Sequence, residues 1–142
     1  MMNKEAFMNT WFQRVWTDED PSAVEEMFDP DGRVEGLGGN ALIGVDQFKA
    51  FQGAILGLMT EMRFTIDKCV EEEEWTSIFC TINAKSRETG APIKMTGSIL
   101  VRIEGDKIVE GYNYFDFLGL WMQLGLLPAD TFERGLTGQK TG

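Results

Sequence analysis

Between Glu5 and Trp16 the apolar residues Phe7, Met8, Trp11, Phe12, Val15 and Trp16 recur at three- and four-residue spacing, which predicts a helix with one aromatic face turned to a core. Asp20-Pro21-Ser22 predicts a second helix start, with Pro in the first turn and Ser22 and Glu25 spaced as a capping box, and that helix should run through Met27 and Phe28. Asp29-Pro30-Asp31-Gly32 is turn chemistry, followed by a short strand from Arg33 to Glu35. Asp46 is placed to cap a third helix carrying Phe48, Phe51, Ile55 and Met59 on one side.

After Met62 the period falls to two. Met62, Phe64 and Ile66 alternate with polar residues, Glu71 to Glu74 forms a charged turn, and Trp75 to Lys85 is rich in β-branched and aromatic side chains. Ile93 to Ile103 and Lys107 to Phe115 supply two more strands around the tight Glu104-Gly105-Asp106 turn. Phe117, Leu120, Trp121 and Leu124 predict a short closing helix, ended by Gly125 and Pro128. Helices first and an antiparallel meander second predict an α+β fold in which the helices cover one face of a curved sheet. One domain over residues 1–128 is expected, with residues 129–142 as a loosely held polar tail.

Composition narrows the chemistry. The chain has 142 residues, 13 Lys plus Arg against 23 Asp plus Glu, a net charge of −10 and no histidine. Histidine-based triads and histidine metal sites are thereby excluded, so acid–base work would fall to carboxylates, Tyr, Lys or Cys. The acidic balance argues against nucleic acid and against anionic membrane surfaces. Two cysteines, Cys69 and Cys80, form no metal-ligand spacing, and counting across the hairpin sets Cys69 opposite residues near 77, so no disulfide is expected. The N-terminal MMNKEAFMNTWFQRVW lacks the pattern of a signal peptide or anchor, which predicts a cytoplasmic protein. Gly36-Leu37-Gly38-Gly39-Asn40-Ala41 fits a dinucleotide fingerprint in letters, but no helix opens on it and no parallel strand–helix–strand unit surrounds it. The Glu71–Glu74 run lacks calcium-loop spacing, so neither a cofactor nor a metal is expected.

The stretch Glu88-Thr89-Gly90, then Ile108-Val109-Glu110-Gly111-Tyr112-Asn113-Tyr114-Phe115-Asp116, then Leu120-Trp121-Met122-Gln123-Leu124-Gly125-Leu126-Leu127-Pro128 resembles the closing half of a SnoaL-like domain. The resemblance implies an NTF2-like, cone-shaped α+β barrel in which a curved sheet wraps a helix around a pocket. Relatives in that superfamily include polyketide cyclases, ketosteroid isomerases and limonene-type epoxide hydrolases, many of them dimers through the sheet. Fold alone does not fix their chemistry, which a few polar side chains place on a shared cone.

Matched to the isomerases, the acid of the first short strand falls at Gly36 of Val34-Glu35-Gly36. Strand alternation sets Val34 and Gly36 on one face and Glu35 on the other, so Glu35 is a pocket acid only if the register slips by one, and otherwise a solvated charge. Matched to the epoxide hydrolases, the Arg/Asp pair falls at Cys80 and Ile82 and the last-strand Asp at Asn113, which disfavours that mechanism. The cyclase pattern likewise meets an amide at Asn113. An Asn moves no proton at ordinary pH, but it donates to a carbonyl oxygen or accepts from a hydroxyl, and the alternative is an Asn satisfied by backbone. Asp116 is either a proton carrier or the N-cap of the Phe117 helix. Cys80 is either pocket-facing or core.

The expected pocket is apolar and aromatic, lined by Trp11, Phe12, Val15, Phe28, Phe51, Ile78, Cys80, Ile82 and Phe115, with Asn113 as its main polar group. The leading expectation is a SnoaL-like protein that binds a small, largely apolar ring compound, with isomerase-, cyclase- or hydrolase-type activity carried by Asp116 or Glu35. The alternative is a non-enzymatic dimeric scaffold. A homodimer is implied by the resemblance, with Trp75, Phe79, Tyr112 and Tyr114 reaching the outer face of the sheet.

Overall fold

A computed structural model describes residues 3–140. The elements are α1 (Lys4–Trp11), a π-helical segment (Phe12–Thr17), α2 (Pro21–Met27), β1 (Phe28–Glu35), β2 (Leu42–Ile43), α3 (Gly44–Leu56), β3 (Met59–Glu72), β4 (Trp75–Ser86), β5 (Pro92–Glu104), β6 (Lys107–Phe115), α4 (Phe117–Gln123) and α5 (Thr131–Leu136).

The first aromatic face forms as its spacing predicts, with Met8, Trp11, Phe12, Val15 and Trp16 buried. It is carried by two kinds of helix. Asn3 opens α1 by accepting from the Ala6 N–H, and from Phe12 onward the turn widens, with Asp18 N donating to Gln13 O at 2.7 Å.

Two helix starts differ from their expected caps. For α2 the cap is Asp20, which accepts from Ser22 N at 2.9 Å and from Ser22 Oγ at 2.6 Å. That uses the Ser22 hydroxyl, so no Ser22–Glu25 capping box forms. Helix α3 begins at Gly44, ahead of Asp46, and Gln47 Oε1 folds back to accept from Ile43 N at 2.8 Å. Met59, expected on α3, instead opens β3 and is buried there.

The strand order is β2-β1-β6-β5-β4-β3. Strands β3 to β6 make the expected antiparallel meander, with Cys69 opposite Ile78 and both thiols free. Strand β1 adds to β6 in parallel, pairing Val34 with Gly111 and Glu35 with Tyr112, and β2 closes the far side. The result is a mixed sheet of six strands, open at β2 and β3, so the cone is not a closed barrel.

Strict alternation in β4 and β5 sends Thr76, Ile78, Cys80, Ile82 and Ala84, and Ile93, Met95, Ile99, Val101 and Ile103, to the inner face. The helices α1 and α3 and the π segment pack their aromatic faces over it. Gln52 of α3 is buried and ties the layers together, donating from Nε2 to Val15 O at 2.9 Å and to Asp20 O at 3.3 Å. Within the expected tail a helix, α5, forms with no buried residue.

Candidate functional site

Helices and inner sheet face do not close completely on each other. They leave a cavity of about 60 Å³ whose wall is apolar and aromatic. Ring packing sets its shape: Phe12 stacks on Phe64 at 4.4 Å, while Phe48 lies 5.3 Å from Trp11 and 5.2 Å from Phe28. Phe115 reaches the wall because Gly97, opposite it on β5, carries no side chain; a Cβ there would lie 2.0 Å from the Phe115 ring.

Of the residues expected to line a pocket, Trp11, Phe12, Phe28, Phe51, Ile82, Phe115 and Asn113 do so. Val15, Ile78 and Cys80 are buried but contribute nothing to the wall. Side-chain alternation put them inside correctly, but it does not tell which inward residues face the void and which face one another. The wall also includes Phe48, Phe64, Met95 and Leu37. Phe48 was legible from its place beside Phe51 and Ile55 on α3; Leu37 was not, because it comes from an irregular, glycine-rich loop. Leu37 and Phe51 also border a shallow groove outside the cavity, formed with residues Gly39 to Leu42.

Asn113 projects inward from β6 and is 8% exposed. Its Nδ2 donates to the Glu35 carbonyl at 3.2 Å. The adjoining chain is held tightly, since a Cβ on Gly36 would lie 1.8 Å from the Asn113 carbonyl oxygen.

Neither candidate carboxylate reaches this cavity. The β1–β6 register turns Val34 inward and Glu35 outward, where its carboxylate lies 3.5 Å from Arg33 Nε. Asp116 is exposed, and its Oδ1 accepts from Gly119 N at 2.9 Å, capping α4. Among the described residues no Asp, Glu, Lys, Arg, Tyr or Cys lines the cavity. The Asp116→Ala variant is therefore expected to lose about 1 kcal/mol of stability through its cap and to leave ligand affinity unchanged, as urea unfolding and a binding titration would report.

Both thiols are poor nucleophiles. Burial first, with nearby carboxylates adding to it, pushes Cys69 and Cys80 up from 9.0 to about 11. In the unfolded chain the thiols ionise from 9.0, so the fold keeps its full advantage below that pH and loses it as pH rises toward 11. Tyr112, raised by its hydrogen bond to Glu110, acts in the same direction. Urea midpoints are expected to fall between about pH 8 and about pH 10.5, and to fall less in a Cys80→Ala variant. An unchanged slope in that variant would contradict the assignment to Cys80.

On the outer face, Arg102 lies 6.0 Å above Trp75 and bonds Glu110 at 3.0 Å, and Glu110 also accepts from the Tyr112 hydroxyl. Beside this network Phe79, Leu100, Tyr114 and Val70 stand exposed. Among the described residues no group of three His, Cys, Asp or Glu is placed to hold a metal ion, and no helix is long and apolar enough to cross a membrane.

A SnoaL-like domain model matches residues 8–111. The chain belongs to the SnoaL-like family. Solved structures similar to this SnoaL-like domain include a proposed SnoaL-like polyketide cyclase from Jannaschia sp. CCS1, at 14% identity and TM-score 0.74, covering 87% of this chain and 92% of that one. A hypothetical protein with a ketosteroid isomerase-like fold from Catenulispora acidiphila DSM 44928, solved with trimethylamine, matches at 22% identity and TM-score 0.72, covering 85% and 93%. An NTF2-like protein of unknown function from Burkholderia pseudomallei K96243 matches at 21% identity and TM-score 0.71, covering 85% and 96%. At these identities the likeness establishes the NTF2-like α+β fold of the SnoaL-like domain. No curated protein matches the chain.

Proposed function

We propose that this SnoaL-like domain binds a compact, neutral, largely apolar molecule inside its cone, and that any transformation there proceeds through positioning rather than proton transfer by the protein. One observation carries the reading: a cavity walled by aromatic and aliphatic side chains, with a single amide and no ionisable group among the described residues. Concave apolar sites with very few polar groups are the usual form of small-molecule sites, whereas a proton carrier has to stand within hydrogen-bond reach of its substrate. The cavity of about 60 Å³ is less than half the roughly 150 Å³ that accommodates benzene, so a small ring enters only as the wall gives, and Leu37 and Phe51 border both this cavity and the outer groove. Calorimetric titration with cyclopentanol is expected to give binding with a negative heat-capacity change, lost when Val34→Phe fills the cavity. Unchanged binding in that variant would overturn the reading.

A second reading concerns assembly. Phe79, Leu100 and Tyr114 are 44%, 39% and 76% exposed on adjoining strands, an apolar patch of the kind that marks a contact surface. We infer that two copies of the domain pair through this face. Sedimentation of a dimer at micromolar concentration that becomes a monomer in a Leu100→Glu variant supports the pairing, and a monomeric parent protein refutes it.

A further inference from the structure

We propose that Leu37 is a movable partition between the cavity and the outer groove, and that its outward swing, which joins the two spaces, is what admits a ring-sized apolar ligand. The inference rests on the ligand-binding reading above and adds how that site opens and what size of molecule each state takes. Its starting point is a mismatch of sizes. The closed cavity holds about 60 Å³, against the roughly 150 Å³ that accommodates benzene. Leu37 and Phe51 border both the cavity and the groove, so the extra space a ring needs lies beyond one of these two side chains.

The two are held very differently. Phe51 belongs to α3, and its ring lies 6.2 Å from that of Trp16 and 6.2 Å from that of Phe48. Leu37 belongs to the irregular loop of residues 36–41. Among the described residues, positions 37–40 take part in no hydrogen bond, and a Cβ on Gly38 or Gly39 would meet nothing within 4 Å. Leu37, 9% exposed, is the one buried residue of the loop and therefore its anchor. A segment attached through a single apolar side chain opens at the cost of that side chain's burial alone.

Such an opening leaves the sheet in place. Val34 pairs with Leu42 at the base of the loop, and Gly36 packs on the Asn113 backbone, so both ends stay fixed while the middle moves. Gly38, at φ +120°, and Gly39 follow Leu37 directly and absorb the change in backbone dihedrals. A ring in the joined space covers the apolar wall that the swing uncovers. A single small atom gains nothing from the swing, so only the larger ligand favours the open state.

The test compares xenon, which needs no opening, with benzene, on the full chain, by NMR titration of the cavity-lining Ile55 and Ile82 methyls. In the parent protein, saturation with xenon is expected to leave the Leu37 methyls shielded from a soluble gadolinium chelate, and saturation with benzene to expose them. In Leu37→Ala, where the partition is missing, benzene should bind on the order of ten-fold more tightly, because the open fraction no longer limits it, and xenon should gain nothing. Leu37 methyls that stay shielded under saturating benzene overturn the partition and leave the cavity reading standing. A parent protein that takes xenon and refuses benzene does the same, as does a benzene affinity that Leu37→Ala fails to raise. The shielding measurement uses only the parent protein and decides the matter should the variant fail to fold. If neither probe moves the Ile55 and Ile82 methyls, the cavity reading falls and the partition with it.

Discussion

Gly36→Ala is expected to be the most damaging single substitution near the cavity, lowering stability by about 3 kcal/mol or more. Two effects add. Gly36 has φ +92°, a conformation that an L side chain adopts only under strain, and a Cβ would stand 1.8 Å from the Asn113 carbonyl oxygen. That neighbour is backbone in a strand, so relief requires β1 to move away from β6. Such a movement also takes Glu35 O from Asn113 Nδ2, and the variant should lose ligand affinity along with stability. Gly38→Ala is the matched control: its φ is +120° but a Cβ would meet nothing within 4 Å, so it should lose about 1–2 kcal/mol and keep the ligand. Urea unfolding of the two variants separates strain from collision; equal losses would show that the close approach at Asn113 has no energetic weight.

Phe28→Ala is expected to cost about 3–5 kcal/mol and to recover part of that loss on adding benzene. Phe28 is fully buried, lies 5.2 Å from Phe48 and lines the cavity, so its removal enlarges a void that already exists. A ligand that binds only the folded form raises stability in proportion to the logarithm of its concentration over its dissociation constant. The urea midpoint of the variant should therefore rise with benzene more than that of the parent protein. Equal benzene responses in the two proteins would mean that the Phe28 site collapses instead of joining the cavity.

The lengths of β4, β5 and β6 were legible because period-two patterning and turn residues are local properties of the chain. The parallel attachment of β1 to β6 was not. It joins Val34 to Gly111 across most of the sequence, and no local pattern encodes the partner of a short strand. The outward turn of Glu35 followed from alternation once that register formed, and the capping role of Asp116 followed from its place immediately before a helix. Which inward residues would face a void was hidden, because Cys80, Ile78 and Ile82 share one strand face and only Ile82 lines the cavity. The absence of ionisable side chains from the cavity could be anticipated in part from the neutral residues at Gly36, Cys80, Ile82 and Asn113. What the chain pattern could not supply was the single bond to Glu35 O that gives the amide its direction.

The central claim, that the cone interior is the ligand site, is tested most directly by methyl-detected NMR during a cyclopentanol titration. The account predicts saturable shifts at Ile55, Ile82, Ile99 and Met95, which line the cavity, with the outer-face residues Val70 and Leu100 unmoved. Shifts confined to Val70 and Leu100, or an interior that does not respond, would contradict it.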